Sequence, residues 1–288
     1  MILLIILAIV LVFFLIVSYY ERRHFVITQY CIESSKLPSE FDGYTFVAMT
    51  DLHNNEFGAD NEKLINAIDA IKPDAILAGG DMVVSKGIKS LDVPVKLMTD
   101  LAKKYKIYYT YGNHEARFFW RQEKFGTMGQ DYYDALVSAG ICVLNDRHID
   151  FKGMDGSLRI SGLNIEKQYY KKLKNIIIPE EVIREKLGRA DENTFNILMA
   201  HSPVSFETYA KWGADLVLSG HFHGGTVIIP FLGGLMSPDW LPFPKYYRGR
   251  YDEYESTMIV SAGLGTHSVN IRINNRPELI VIKLKKKI

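Results

Sequence analysis

Seven side chains able to bind a metal stand where apolar runs end. GHFHGG at 220–225 puts His221 and His223 two residues apart directly after the mostly apolar run 214–218. On an extended backbone, residues i and i+2 face the same side, and the flanking glycines leave room for two imidazoles to reach one point. The pattern recurs along the chain. Residues 47–49 run into Thr50-Asp51-Leu52-His53, 76–78 into Gly79-Gly80-Asp81, 109–111 into Gly112-Asn113-His114-Glu115, and 197–199 into Ala200-His201-Ser202-Pro203. In open α/β sheets ligands bind beyond the carboxyl ends of the strands, so these groups are expected to converge.

One ion needs three or four donors, whereas Asp51, His53, Asp81, Asn113, His201, His221 and His223 suffice for two ions that share a carboxylate. Imidazole mixed with carboxylate suits manganese, iron, zinc or cobalt better than calcium or magnesium, which prefer oxygen alone. Singly, each residue has a plainer role: Asp51 can cap a turn, Asn113 can sit left-handed after Gly112, and His201 can lie beside a helix start. Five such groups at five strand ends argue for a site.

The ordered set D-x-H (Asp51, His53), GD (Gly80, Asp81), GNHE (112–115), a lone His201 and GHxH (220–223) resembles the calcineurin-like metallophosphoesterase superfamily. The ending, 260–265 followed by Asn270-Ile271-Arg272 and Arg276-Pro277-Glu278-Leu279, is similar to that of the membrane-associated branch with YkuE- and YaeI-type proteins. The resemblance implies an α/β fold, a two-layered mixed β-sheet sandwich flanked by helices. It also implies a dinuclear-metal phosphoester hydrolase of phosphodiesterase or pyrophosphohydrolase type. Asp51, His53 and His223 would bind one ion, Asn113, His201 and His221 the other, and Asp81 both. His114 would be the catalytic acid beside them, stabilising phosphoryl charge or protonating the leaving oxygen. Many members read GDxxD; Gly80 to Val84 lacks the second Asp, which bears on what surrounds the ligands more than on the ligands. Two other readings stay open. An amidohydrolase-type enzyme also uses HxH, but after its first strand, and a membrane-tethered metal-binding module without turnover would show a missing ligand.

The donors need a scaffold, and composition allows one. Of 288 residues, 48% are hydrophobic and 23% charged, an ordinary globular balance for one large domain or two small ones. A net charge of +1 argues against nucleic acid as a partner. Cys31 and Cys142 are too few for a disulfide framework and too far apart for a CxxC site. The first twenty residues carry no charged side chain and match the length that crosses about 30 Å of hydrocarbon as a helix. With no basic residue ahead of them and no small-x-small cleavage pattern behind, they read as an uncleaved anchor, residues 1–23, for a single-pass cell-membrane protein. Arg22 and Arg23 place the catalytic domain, 24–288, on the cytoplasmic side by the positive-inside rule. The closing Lys283, Lys285, Lys286 and Lys287 are able to meet anionic headgroups if the fold brings them near the bilayer.

Periodicity predicts strands over 24–33, 44–49, 75–78, 107–111, 141–144, 158–163, 195–199, 215–218, 258–261 and 279–284. Helices are expected over 61–71, 93–104, 132–138 and 179–187. The segment 226–247, TVIIPFLGGLMSPDWLPFPKYY, is long, apolar and broken by Gly and Pro. It reads either as a cleft wall or as a hairpin packed on the core. Together with the anchor it points to a lipid-linked phosphoester or pyrophosphate substrate near the bilayer, and the resemblance permits a nucleotide-sugar lipid among such substrates. Lys167, Tyr169, Tyr170, Lys171 and Lys172 form a further basic and aromatic cluster, suited to a headgroup or to a solvated face.

Overall fold

The computed structural model describes residues 1–86, 90–266 and 269–287. Helix α1 (Ile2–Glu21) leads into strands β1 (Val26–Ser34) and β2 (Thr45–Met49), then α2 (Glu62–Ile71), β3 (Ala75–Ala78), α3 (Asp92–Ala102) and β4 (Lys106–Tyr109). Next come α4 (Asn113–Trp120), α5 (Gln122–Phe125), α6 (Met128–Ser138), β5 (Cys142–Val143), β6 (Arg147–Lys152) and β7 (Ser157–Leu163). The rest comprises α7 (Glu180–Leu187), β8 (Thr194–Ala200), α8 (Phe206–Trp212), β9 (Leu216–Ser219), β10 (Ile228–Ile229), β11 (Gly233–Gly234), β12 (Gly249–Glu253), β13 (Ser256–Val260) and β14 (Glu278–Lys286).

Alternation along the central strands decides how these elements stack. In β2, Phe46 and Ala48 face one apolar cluster and Val47 and Met49 another; β3 divides Ala75 and Leu77 from Ile76 and Ala78 in the same way. Strands buried on both faces must lie between two covering layers. One sheet has the order β1-β14-β2-β3-β4-β5 and the other β12-β13-β9-β8-β7-β6, each mixed in direction. Phe46, Leu77, Ile280, Phe195, Ile197 and Leu216 fill the space between them. Helices α2, α3 and α6 cover the outside of the first sheet with Leu64, Ile68, Leu97, Leu101 and Tyr132. Helices α7 and α8 cover the second with Ile183, Leu187, Phe206, Tyr209 and Trp212. The expected sandwich flanked by helices is what forms.

Within their sheets, β2, β3 and β4 run parallel, as do β8 and β9. All five motif-bearing ends therefore meet where one rim of each sheet comes together. The expected elements are present within a few residues, with α6 starting at Met128 ahead of the expected 132. Strands β6 and β12 were not expected. Both are sheet edges whose side chains are largely exposed and charged, so they carry no apolar signal.

Helix α1 is long and apolar enough to cross a membrane, and Ser18 is its buried residue. Strand β14 lies parallel to β1, pairing Val26 with Glu278 and Glu33 with Lys285. The closing lysines are thus carried roughly 25 Å along the strands away from the end of α1. There Lys285 meets Glu33 at 2.8 Å and Lys286 meets Asp155 at 2.5 Å.

Candidate metal centre

Three groups of donor atoms lie within 4.8 Å of one another: Asp51, His53 and His223; His53, Asp81 and His114; and Asp81, His201 and His221. All of these residues are buried. Asp51 Oδ1 is 3.7, 3.6 and 3.5 Å from the Nε2 atoms of His53, His201 and His223, and Asp81 Oδ2 is 3.1 Å from His201 Nε2. Asn113 lines the same cleft, beside His114, His221 and His223. All seven sequence candidates and His114 are therefore gathered in one place.

The backbone is strained where it presents them. Asp51, His53, Asp81, His221 and His223 all have left-handed φ, between 49° and 67°. Such conformations cost on the order of 1 kcal/mol or more each and persist where the surroundings enforce them, commonly at functional sites. Glycines make the crowding possible. A Cβ at Gly220 would collide with the Asp51 carboxylate, and one at Gly112 with that of Asp81.

Hydrogen bonds behind the rings fix which nitrogen faces the centre. Nδ1 of His53, His201 and His223 lies 3.2, 2.8 and 3.1 Å from the carbonyls of Val83, Gly79 and Gly265. A carbonyl only accepts, so each Nδ1 bears a proton and each Nε2 is the nitrogen left to face a bound ion. His221 is reversed: Nε2 meets Asp239 Oδ2 at 3.3 Å, leaving Nδ1 toward the centre. His114 differs again, because Ser85 N donates to its Nδ1 at 2.8 Å and the proton must sit on Nε2.

These features fit a cation. The Nε2 atoms of His53 and His223 face each other at 3.2 Å, a spacing that two ligands about 2.1 Å from a shared ion also have. Asn113 Oδ1 and His221 Nδ1 are buried with no hydrogen-bond partner among the described residues. Burial alone would raise the Asp51 and Asp81 carboxyls. Nearby imidazoles outweigh it, those of His223, His201 and His53 for Asp51 and of His201, His114 and His53 for Asp81, and hold both well below the usual carboxylate range. Conversely, burial would lower His201, yet Asp81 and Asp51 push it up to about 10. The centre favours positive charge, and oxygen with nitrogen donors suits divalent metal.

Several supporting residues were not assigned from sequence. Glu115, quoted only as the end of GNHE, is fully enclosed and accepts from the backbone N–H groups of Asp81 (2.8 Å), Met82 (2.8 Å) and Gly112 (2.9 Å) and from Tyr109 OH (2.8 Å). It joins the end of β3 to the start of α4. Arg117 Nη1 donates to Ser85 Oγ at 2.8 Å, steadying the residue that binds His114. Asn275 Nδ2 donates to His223 O at 2.6 Å. The position of Glu115, third in the helix after Gly112, is a capping pattern visible in the sequence. Asp239 and Asn275 carry no such mark.

The centre opens into a cavity of about 550 Å³. One wall is cationic, with Lys86, Arg117 and Lys172, and another is apolar, with Leu235, Met236, Trp240, Val269 and Ile271. Much of the second wall comes from 226–247, as the cleft-wall reading expected. Of the cluster near 170, Tyr170 and Lys172 line the cavity, and Lys172 Nζ lies 5.4 Å from the Trp240 ring centre.

The family described as calcineurin-like phosphoesterase matches residues 44–225. The chain is 27% identical over 273 residues to the uncharacterized metallophosphoesterase YkuE of Bacillus subtilis, covering 93% of this chain and 88% of that protein. It is 26% identical to the phosphodiesterase YaeI of Escherichia coli, over 74% of this chain and 71% of that one. The crystal structure of the phosphopantetheinyl hydrolase PptH from Mycobacterium tuberculosis superposes with a TM-score of 0.50 at 13% identity, covering 78% and 91% of the two chains, a likeness of fold. A donor set on five strand ends and a match across well over half its length agree: this chain belongs to the calcineurin-like phosphoesterases, metal-dependent hydrolases of phosphoric esters.

Proposed function

We propose that this chain is a membrane-anchored phosphodiesterase or pyrophosphohydrolase that holds two divalent ions and acts on a lipid-linked phosphoester. The observation that carries the reading is the gathering of donors from five strand ends within 4.8 Å groups around Asp51 and Asp81. Asp51, His53 and His223 hold one ion, Asn113, His201 and His221 the other, and Asp81 serves both. When bound, such ions polarise phosphoryl oxygens and lower the pKa of a water for in-line attack.

The remaining work belongs to the chain. His114 carries its proton on Nε2, because Ser85 N–H occupies Nδ1, and burial favours this neutral form; its Nε2–H donates a hydrogen bond that stabilises charge developing on the phosphoryl or leaving oxygen. Lys86, Arg117 and Lys172 orient the anionic part of the substrate, and Met236, Trp240, Val269 and Ile271 exclude water around its apolar part.

The membrane reading rests on residues 1–23 as anchor, with 24–288 as the catalytic domain and Arg22 and Arg23 favouring the cytoplasmic side. It is supported by the hairpin β10–β11. Phe231 and Leu232 at its tip are exposed, and its Ile228 N donates to Ile273 O at 3.0 Å, next to Asn274, which bonds Glu21 of α1. Trp240 and Phe243 are exposed nearby in sequence.

The test is a panel assay of the purified chain in detergent micelles, on a soluble chromogenic diester and on nucleotide-diphosphate lipids. Manganese-dependent cleavage of both, with higher kcat/KM on the lipids, is expected. Cleavage of the soluble ester alone would remove the lipid assignment, and cleavage of neither would remove the enzyme.

A further inference from the structure

The last turn of α1 is bonded to the loop that supports the metal centre. Glu21 Oε1 accepts from Asn274 N at 3.1 Å and Oε2 from Asn275 N at 2.9 Å, while Ser18 Oγ accepts from Arg272 N at 3.1 Å. Two lines run on from there to His223. Asn275 Nδ2 donates to the His223 carbonyl at 2.6 Å and to that of Thr226 at 3.2 Å. The buried Arg272 guanidinium donates to Gly265 O at 2.8 Å, the same carbonyl that accepts from His223 Nδ1 at 3.1 Å.

Glu21 is badly placed for any purely helical purpose. A carboxylate at a helix C-terminus is opposed by the macrodipole, and one bordering an apolar span is costly to desolvate. Its two backbone donors supply the compensation. His223 needs such support, since its left-handed φ of 49° must be enforced from outside. The fit is tight: a Cβ at the neighbouring Gly224 would collide with Asn275 Oδ1.

We propose that Glu21 is a positioning residue for His223, so that the apolar helix completes the metal centre as well as tethering it. This rests on the two-ion reading. The test uses the full chain in micelles, as wild type, Glu21→Ala and Glu21→Gln, with amide hydrogen exchange of the metal-free protein and titration with Mn²⁺. In Glu21→Ala, exchange over 221–226 should rise about tenfold while that over 51–53 is unchanged, and one of two Mn²⁺ sites should weaken about tenfold. Glu21→Gln, which keeps one acceptor oxygen, should fall between. Unaltered exchange over 221–226, or exchange raised across the whole domain with both Mn²⁺ sites unmoved, would overturn the proposal. Wild-type protein that takes up no Mn²⁺ would strike the two-ion reading, while the exchange comparison would still decide the link.

Discussion

His114 is the residue whose role separates chemistry from metal holding. With Nδ1 accepting from Ser85 N–H, its Nε2–H is the donor that can meet the charge developing on the phosphoryl group. His114→Ala should therefore lower kcat on a chromogenic diester by about 100-fold or more with the metal content of the protein unchanged. Unchanged turnover, or lost metal, would deny it that role. Asp239 acts from behind, orienting His221, and its replacement by Ala should weaken metal binding by about 10- to 100-fold in a titration. The donors themselves were legible because each follows an apolar run. Asp239, Ser85 and Asn275 were not, because they reach the centre through contacts between loops and no local spacing marks them.

At the scale of elements, Glu115 joins β3 to α4 by accepting from buried backbone N–H groups beside both. Glu115→Ala should destabilise the metal-free protein by at least about 3 kcal/mol, read as a lower Tm. The hairpin β10–β11 makes an opposite kind of prediction. Its exposed Phe231 and Leu232, replaced together by Ser, should leave turnover of a soluble ester unchanged and slow that of a vesicle-borne one about tenfold. Central strands such as β2 and β3 could be read from sequence because burial on both faces makes them almost wholly apolar. Edge strands β6 and β12 could not, since their exposed charges look like loop, and α4 was hidden because its first turn is also the GNHE motif.

For the whole molecule, two six-stranded sheets share one core, and their joined rim gathers the candidate metal-binding residues. The sequence indicated a sandwich through its resemblance; that the two rims face each other depends on long-range packing no short pattern records. Tyrosines in this framework contribute to its stability in alkali. Burial pushes Tyr30 and Tyr108 up from 10.0 to about 12, so the neutral form is favoured when folded. Their contribution is full below about pH 10 and lost between about pH 10 and 12, where the Tm should fall. A bimetallic centre is what the chemistry of this molecule stands on, and elemental analysis before and after chelation tests it most directly. Two divalent transition-metal ions per chain, activity that vanishes when a chelator removes them, and recovery with Mn²⁺ are expected; activity that survives complete removal, or a purified chain that retains at most one ion under saturating metal, would contradict it.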